Sequence, residues 1–252
     1  MLQIYYQNNW HNLDFNGIKI LETTFPTHFI KSILTDDNEN HHLVVDSKVI
    51  KWKNVIYVNE LSKYSDFLSL SKSNVLYKKI VEIIGDKTLI DNNLVNFVIN
   101  KINKDFQIND LLIPQYDVYK LINSSMEIND ISNIDSKTFF DFFLKLEFDE
   151  KKLIIFDNVK NATYKNCQKL LNNFNVLIIT TDIREVINHF NELEICAYVK
   201  ENDFFEIIDI DKLISYLEMK TSLPIDQKDL NNFLSKHNDE KSHKINFFLK
   251  NI

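Results

Sequence analysis

Lys151-Lys-Leu-Ile-Ile-Phe-Asp157 is the stretch whose reading decides the fold: a charged cap, four apolar residues in a row, then an aspartate. A short unbroken apolar run between polar boundaries reads as a strand buried on both faces. A second run, Val176-Leu-Ile-Ile-Thr180, follows it, and the segment between places Tyr164, Cys167, Leu170 and Leu171 at helical spacing. Strand, helix, strand is a βαβ unit, so the two strands are expected to lie parallel. An aspartate after four apolar residues also stands where phosphate-binding ATPases hold magnesium, although parallel strands commonly end on a polar residue for no chemical reason.

Working outward toward the N-terminus, Leu2, Ile4 and Tyr6 alternate as a strand. Gly17 opens a second strand, Ile18 to Leu21. After Phe25-Pro26 comes a helix with Phe29, Ile30, Ile33 and Leu34 on one face; proline suits its first turn. Strands follow at Leu43–Val45 and Val55–Val58. From Asn74 to Phe148 the periodicity is helical, in four segments near 74–84, 89–106, 111–123 and 136–148. Gly85 is expected to close the first of these. After Ile179 a helix is expected near Ile183 to Phe190, then a strand pair at Ile195–Val199 and Phe204–Ile208. Asp211 reads as the cap of a helix through Met219. The tail from Asp226 to Ile252 reads as one polar helix with Leu230, Phe233 and Leu234 on one face.

The expected fold class is therefore α/β. A parallel-rich head, P-loop-ATPase-like in pattern but without a phosphate loop, is expected over residues 1–73 and 150–220. An inserted α-helical leg occupies 74–149, and a helical tail 221–252.

Composition removes several function classes. The 252 residues include only two glycines, Gly17 and Gly85. A phosphate loop needs two glycines and a lysine because backbone amides must approach the phosphates closely. No phosphate loop, dinucleotide fingerprint or nucleophile elbow can be written with these two. The seven histidines form no HExxH pattern; His41-His42 beside Asp36, Asp37 and Glu39 reads as a solvated loop. Cys167 and Cys196 are neither a metal pair nor a redox pair and are expected as buried free thiols. Asp141, Glu150 and Lys152 loosely echo a metal-dependent nuclease, which needs two carboxylates on the ion and a lysine near the attacking water. No signal peptide and no membrane-length apolar run is visible, so a soluble, cytoplasmic protein is expected.

The formal net charge is -7, unevenly spread. From His41 to Lys104 there are 10 lysines against 6 acids, a net of +4, whereas Asp105 to Glu150 has 3 lysines against 10 acids, a net of -7. A basic surface on an acidic protein is thus allowed. Lys48, Lys51 and Lys53 lead it, the last two on one side of an extended chain with Trp52 opposite; Lys72, Lys78 and Lys79 follow. Arg184 is the only arginine. Lysines without a base-reading arginine suit sequence-blind phosphate contact. An ordinary solvated surface accounts for them equally well.

In this order the elements resemble a known family, the small adaptation accessory protein of type II-A CRISPR loci called Csn two. Gly17-Ile-Lys-Ile-Leu-Glu22 and its helix resemble the family's opening strand. Leu43 to Asn59 resembles its next strand pair, and Lys104-Asp-Phe-Gln-Ile-Asn-Asp110 the start of its leg. Lys152-Leu-Ile-Ile-Phe-Asp-Asn158 resembles its core strand, and Ala197 to Ile207 its closing pair. The likeness spans residues 13 to 210. It implies a non-catalytic homotetrameric ring that threads double-stranded DNA ends through a lysine-lined hole. It also implies calcium held by acids near the start of the leg, here Asp105 and Asp110, and spacer acquisition alongside the CRISPR integrase proteins and the RNA-guided nuclease. The family's leg start is glutamate-rich where this chain has Asn103, Lys104 and Asn109. Fewer carboxylates imply weaker or relocated calcium binding. The competing classes are a metal-dependent nuclease or nucleotide hydrolase, and a protein-interaction module with no nucleic-acid role.

Overall fold

The computed structural model describes residues 1–34, 42–84, 92–107, 117–128, 136–146, 148, 150–201 and 203–251. The chain divides into two compact units, Met1–Ser62 with Ile134–Ile252, and Lys63–Asn133.

The first unit is built on β7 (Lys152–Asp157), the opening stretch of the preceding section, and its parallel neighbour β8 (Phe174–Thr180). The helix between them is short, α6 (Tyr164–Gln168), capped by Thr163. On the other side of β7 lies β6 (Val55–Asn59) and beyond β8 lies β3 (Ile18–Glu22), both parallel to them. Then come β9 (Cys196–Lys200), parallel to β3, and β10 (Asp203–Glu206), antiparallel to β9. The six-stranded order is β10-β9-β3-β8-β7-β6, with β3 inside. Apart from Lys19 and the strand ends, the central strands are largely apolar on both faces because both faces are covered. Leu21, Leu153, Ile155, Leu177 and Ile179 turn to one side, where they join Phe29, Ile30 and Ile33 of α1 (Pro26–Leu34). The other face carries Phe156, whose ring lies 5.5 Å from Phe140 and 6.4 Å from Phe143 of α5 (Ser136–Leu144).

A second, antiparallel sheet has the order β2-β1-β4-β5, formed by β1 (Leu2–Tyr6), β2 (Asn9–Leu13), β4 (Leu43–Val45) and β5 (Lys48–Val49). Leu2, Ile4, Leu13, Leu43 and Val45 from its inner face enter the same core as α1. Gly17, at φ +85° just before β3, takes the left-handed conformation that glycine adopts without strain.

The C-terminal region folds as α7 (Ile210–Thr221), α8 (Gln227–Leu234) and α9 (Glu240–Lys250). The expected single tail helix is thus two. Asp239 accepts the Ser242 N–H as an N-cap, and Lys236 adopts φ +55° between the helices. Leu230, Phe233, Leu234, Ile245 and Leu249 are buried. The cap of α7 is Asp209, which accepts the Lys212 N–H, and not Asp211, which lies in its first turn. In place of the helix expected near 183–190 there are two 3-10 segments, Ile183–Glu185 and Phe190–Ile195. Asp182 and His189 bond nearby backbone N–H groups and so restart the chain locally instead of letting one helix run through. Cys167 and Cys196 are buried free thiols.

The second unit contains α2 (Val75–Ile84), α3 (Asn92–Phe106) and α4 (Val118–Ser125), the last capped by Asp117. The helices are amphipathic as the spacing predicts, yet among the described residues of this unit only Ile122 is fully buried. Ile83 is 70% exposed and Phe97 64%. The expected cap at Gly85 and the helical turns before Asp117 lie outside the described residues. No helix is long and apolar enough to cross a membrane among the described residues.

Candidate nucleic-acid interface and the strand-end site

Parallel sheets gather polar groups at the carboxyl ends of their strands, and ligands bind in the crevice beyond those ends. Here those ends carry Glu22, Asp157 and Thr180, all nearly buried. Only three residues, Thr23 to Phe25, join β3 to α1. A phosphate loop runs through about eight residues with two glycines. This connection is too short and too substituted to wrap a phosphate. Asp157 is instead held by two hydroxyl donors on one oxygen: Thr27 Oγ1 donates to Oδ2 at 3.0 Å, and Tyr57 donates to the same atom. Burial, and then that carboxylate, push the Tyr57 phenol up to about 12. Thr27 and Tyr57 went unnoticed in the sequence; their signal is position alone, one in the first turn after the β3 loop and one on the strand beside β7.

Glu22 is also committed within the fold. Its Oε2 accepts the Ile183 N–H at 2.9 Å, and Oε1 lies 3.5 Å from Lys250 Nζ on α9. Beside it Arg184 forks onto Asp182 with two bonds of 2.8 Å and packs over the Phe233 ring. Burial raises the Glu22 carboxyl above its ordinary value, only partly offset by the Ile183 N–H and Lys250. A raised folded-state value means that the folded protein prefers the protonated form. The associated stability is fully present below the ordinary glutamate range and is lost as pH rises through the raised value. Glu22→Gln, which mimics the neutral form and keeps an acceptor for Ile183, is expected to melt higher than wild type at pH 8 and level with it at pH 4. Thermal melts across that range check this; a variant that melts lower at pH 8 contradicts it.

The six lysines singled out from charge patterning divide between the two units. Lys48, Lys51 and Lys53 belong to the first unit, Lys72, Lys78 and Lys79 to the second. Lys48 Nζ is 3.2 Å from Glu150 Oε2, so its charge is already balanced. Lys51 is exposed. The extended geometry expected for Lys51-Trp52-Lys53 is replaced by a 3-10 turn over Trp52–Asn54, so the two lysines are not set on one side by strand alternation. The turn puts Trp52 against Tyr57, with ring centroids 5.9 Å apart. The Lys53 side chain lies outside the described residues. Lys72, Lys78 and Lys79 are exposed and make no ion pair with any described residue.

Asp105 is exposed near the end of α3, and Asp110 lies outside the described residues. Of the nuclease-like set, Asp141 is exposed on α5, Glu150 pairs with Lys48, and Lys152 Nζ sits over the Phe148 ring. No group of three metal-ligating side chains comes together among the described residues.

No protein-family model matches the chain, and no curated protein matches its sequence. Among solved structures, Stu0660 of Streptococcus thermophilus superposes with a TM-score of 0.63 at 10% sequence identity, over 99% of this chain and 92% of that one. The two proteins share a fold. The likeness runs through both units and the C-terminal helices, since nearly the whole chain takes part.

Proposed function

We propose that the chain is a non-catalytic, cytoplasmic CRISPR adaptation protein that binds double-stranded DNA ends as a ring-shaped oligomer. In this reading it works beside the integrase proteins and the RNA-guided nuclease. The observation that carries the reading is the contrast between the two candidate sites. The strand-end carboxylates are engaged by their own fold, whereas Lys72, Lys78 and Lys79 stand exposed and, among the described residues, pair with no carboxylate. The resemblance of the element order to the Csn two family supports the assignment, and so does the ATPase-like placing of Asp157 at the end of β7 with no phosphate loop to serve it. Exposed Ile83, Phe97, Val98 and Val118 on the helical unit support association, because apolar side chains in number call for a covering surface.

Purified protein with ATP and magnesium, or with DNA and manganese, is expected to show no turnover above background. A turnover that Asp157→Ala abolishes would overturn the binding reading in favour of a hydrolase. The same preparation tests calcium. If Asp105, Asp110 and nearby carbonyls hold the ion, calcium at about a hundred times its dissociation constant adds roughly 2.7 kcal/mol of stability and raises the melting temperature. An unchanged melt at millimolar calcium removes the metal from the account.

A further inference from the structure

We propose that Tyr119, with Lys72 and Tyr77, forms a stacking site for an unpaired nucleobase at a DNA end, an inference that rests on the DNA-end reading above. Lys72 Nζ lies 5.1 Å from the centre of the Tyr119 ring, and Tyr77 meets the same ring edge-on with centroids 5.7 Å apart. Both tyrosines are partly exposed, and Lys72 is exposed. The cluster is held from the backbone. Asn123 Nδ2 donates to the Tyr119 carbonyl at 2.9 Å and to the Leu70 carbonyl at 3.4 Å, tying α4 to the turn that carries Lys72. Hydroxyls line that turn, with Ser69 and Ser71 oxygens 2.8 Å apart. Lys78, Lys79 and Lys120 are exposed nearby in sequence on α2 and α4. The neighbouring carboxylate, Asp117, is occupied by the Tyr119 and Lys120 N–H groups of its own cap.

The Lys72 ammonium over the Tyr119 face is an exchangeable cover on a partly exposed ring. An exposed cation–π contact is weaker than stacking of a base on an aromatic ring. A phosphate arriving with the nucleotide also gives the ammonium a charged partner in place of the ring. The exchange therefore runs toward base on ring and lysine on phosphate. It is indifferent to base identity, since every base has a π-face.

The test uses the full chain and three duplexes that share one sequence: blunt, with a short single-stranded overhang, and with the same overhang made of abasic sugar-phosphate. The base-bearing overhang is expected to bind about tenfold tighter than the abasic one, within the range of one stacked base. A fluorescent adenine analogue at the overhang is expected to be quenched. Tyr119→Leu is expected to erase that difference and the quenching while leaving blunt-duplex binding intact, which also reports that the variant folds. Tyr119→Trp is expected to keep both. Equal affinity for base-bearing and abasic overhangs, or a difference that survives in Tyr119→Leu, overturns the stacking site and leaves the DNA-end reading standing. Failure of every duplex to bind overturns both.

Discussion

Glu206→Gln is expected to lower the melting temperature by about 10 °C. Lys19, on the inner strand β3, is 1% exposed, and its ammonium is paired with Glu206 on the outermost strand, β10. The same carboxylate oxygen accepts the Asp14 N–H at 2.8 Å. Removing the charge of one partner leaves an uncompensated ammonium in the sheet, which costs about 3–5 kcal/mol. For a chain of this size each kcal/mol shifts the melting temperature by about 2–4 °C. Lys19→Met is expected to cost less, because Glu206 keeps 16% exposure and can turn to water. The double variant Lys19→Met with Glu206→Gln is expected to recover most of the loss, since removing both charges removes the burial penalty along with the attraction. Equal melting of all three variants and wild type would show that the pair contributes nothing to stability.

Lys72, Lys78 and Lys79 replaced together by glutamate are expected to weaken binding to linear duplex by more than about a hundredfold at moderate salt. A protein of net charge -7 is repelled by DNA as a whole, so binding depends on local positive charge. Each lysine on a phosphate contributes about -0.9 to the slope of log affinity against log salt, and an oligomer repeats each contribution in every subunit. The triple variant is therefore expected to flatten the salt dependence as well as lower the affinity. Lys48, Lys51 and Lys53 replaced by glutamate are expected to do less, because Glu150 already balances Lys48. Neither set should alter preference among sequences, since phosphate contacts carry no base information. A larger loss from the Lys48 set would move the interface to the first unit.

The sheet was legible because buried parallel strands advertise themselves. Lys152–Asp157, Phe174–Thr180 and Ile18–Glu22 are nearly continuous apolar runs, and each lies where its run predicts. The helices of the second unit were legible from their apolar spacing. What failed was the interpretation of short polar segments. Trp52–Asn54 alternates in sequence like a strand yet turns in a 3-10 helix, since three residues hold too little periodicity to decide. Asp209 and Asp211 are both good caps on paper; only backbone geometry selects Asp209. The absent phosphate loop could be read from two glycines. The hydroxyls that occupy Asp157 could not, because Tyr57 and Thr27 come from opposite sides of the sheet order and meet only after folding. Lysines can be counted in a sequence, but which of them are already paired, as Lys48 is with Glu150, depends on contacts a hundred residues away.

The measurement that tests the central claim most directly compares binding to one duplex in two forms, linear and covalently closed, at matched salt and length. A ring that threads DNA ends is predicted to hold the linear form and to leave the closed circle unbound, and to regain binding once the circle is cut. Equal affinity for circle and line would contradict end threading, whatever the lysine variants do.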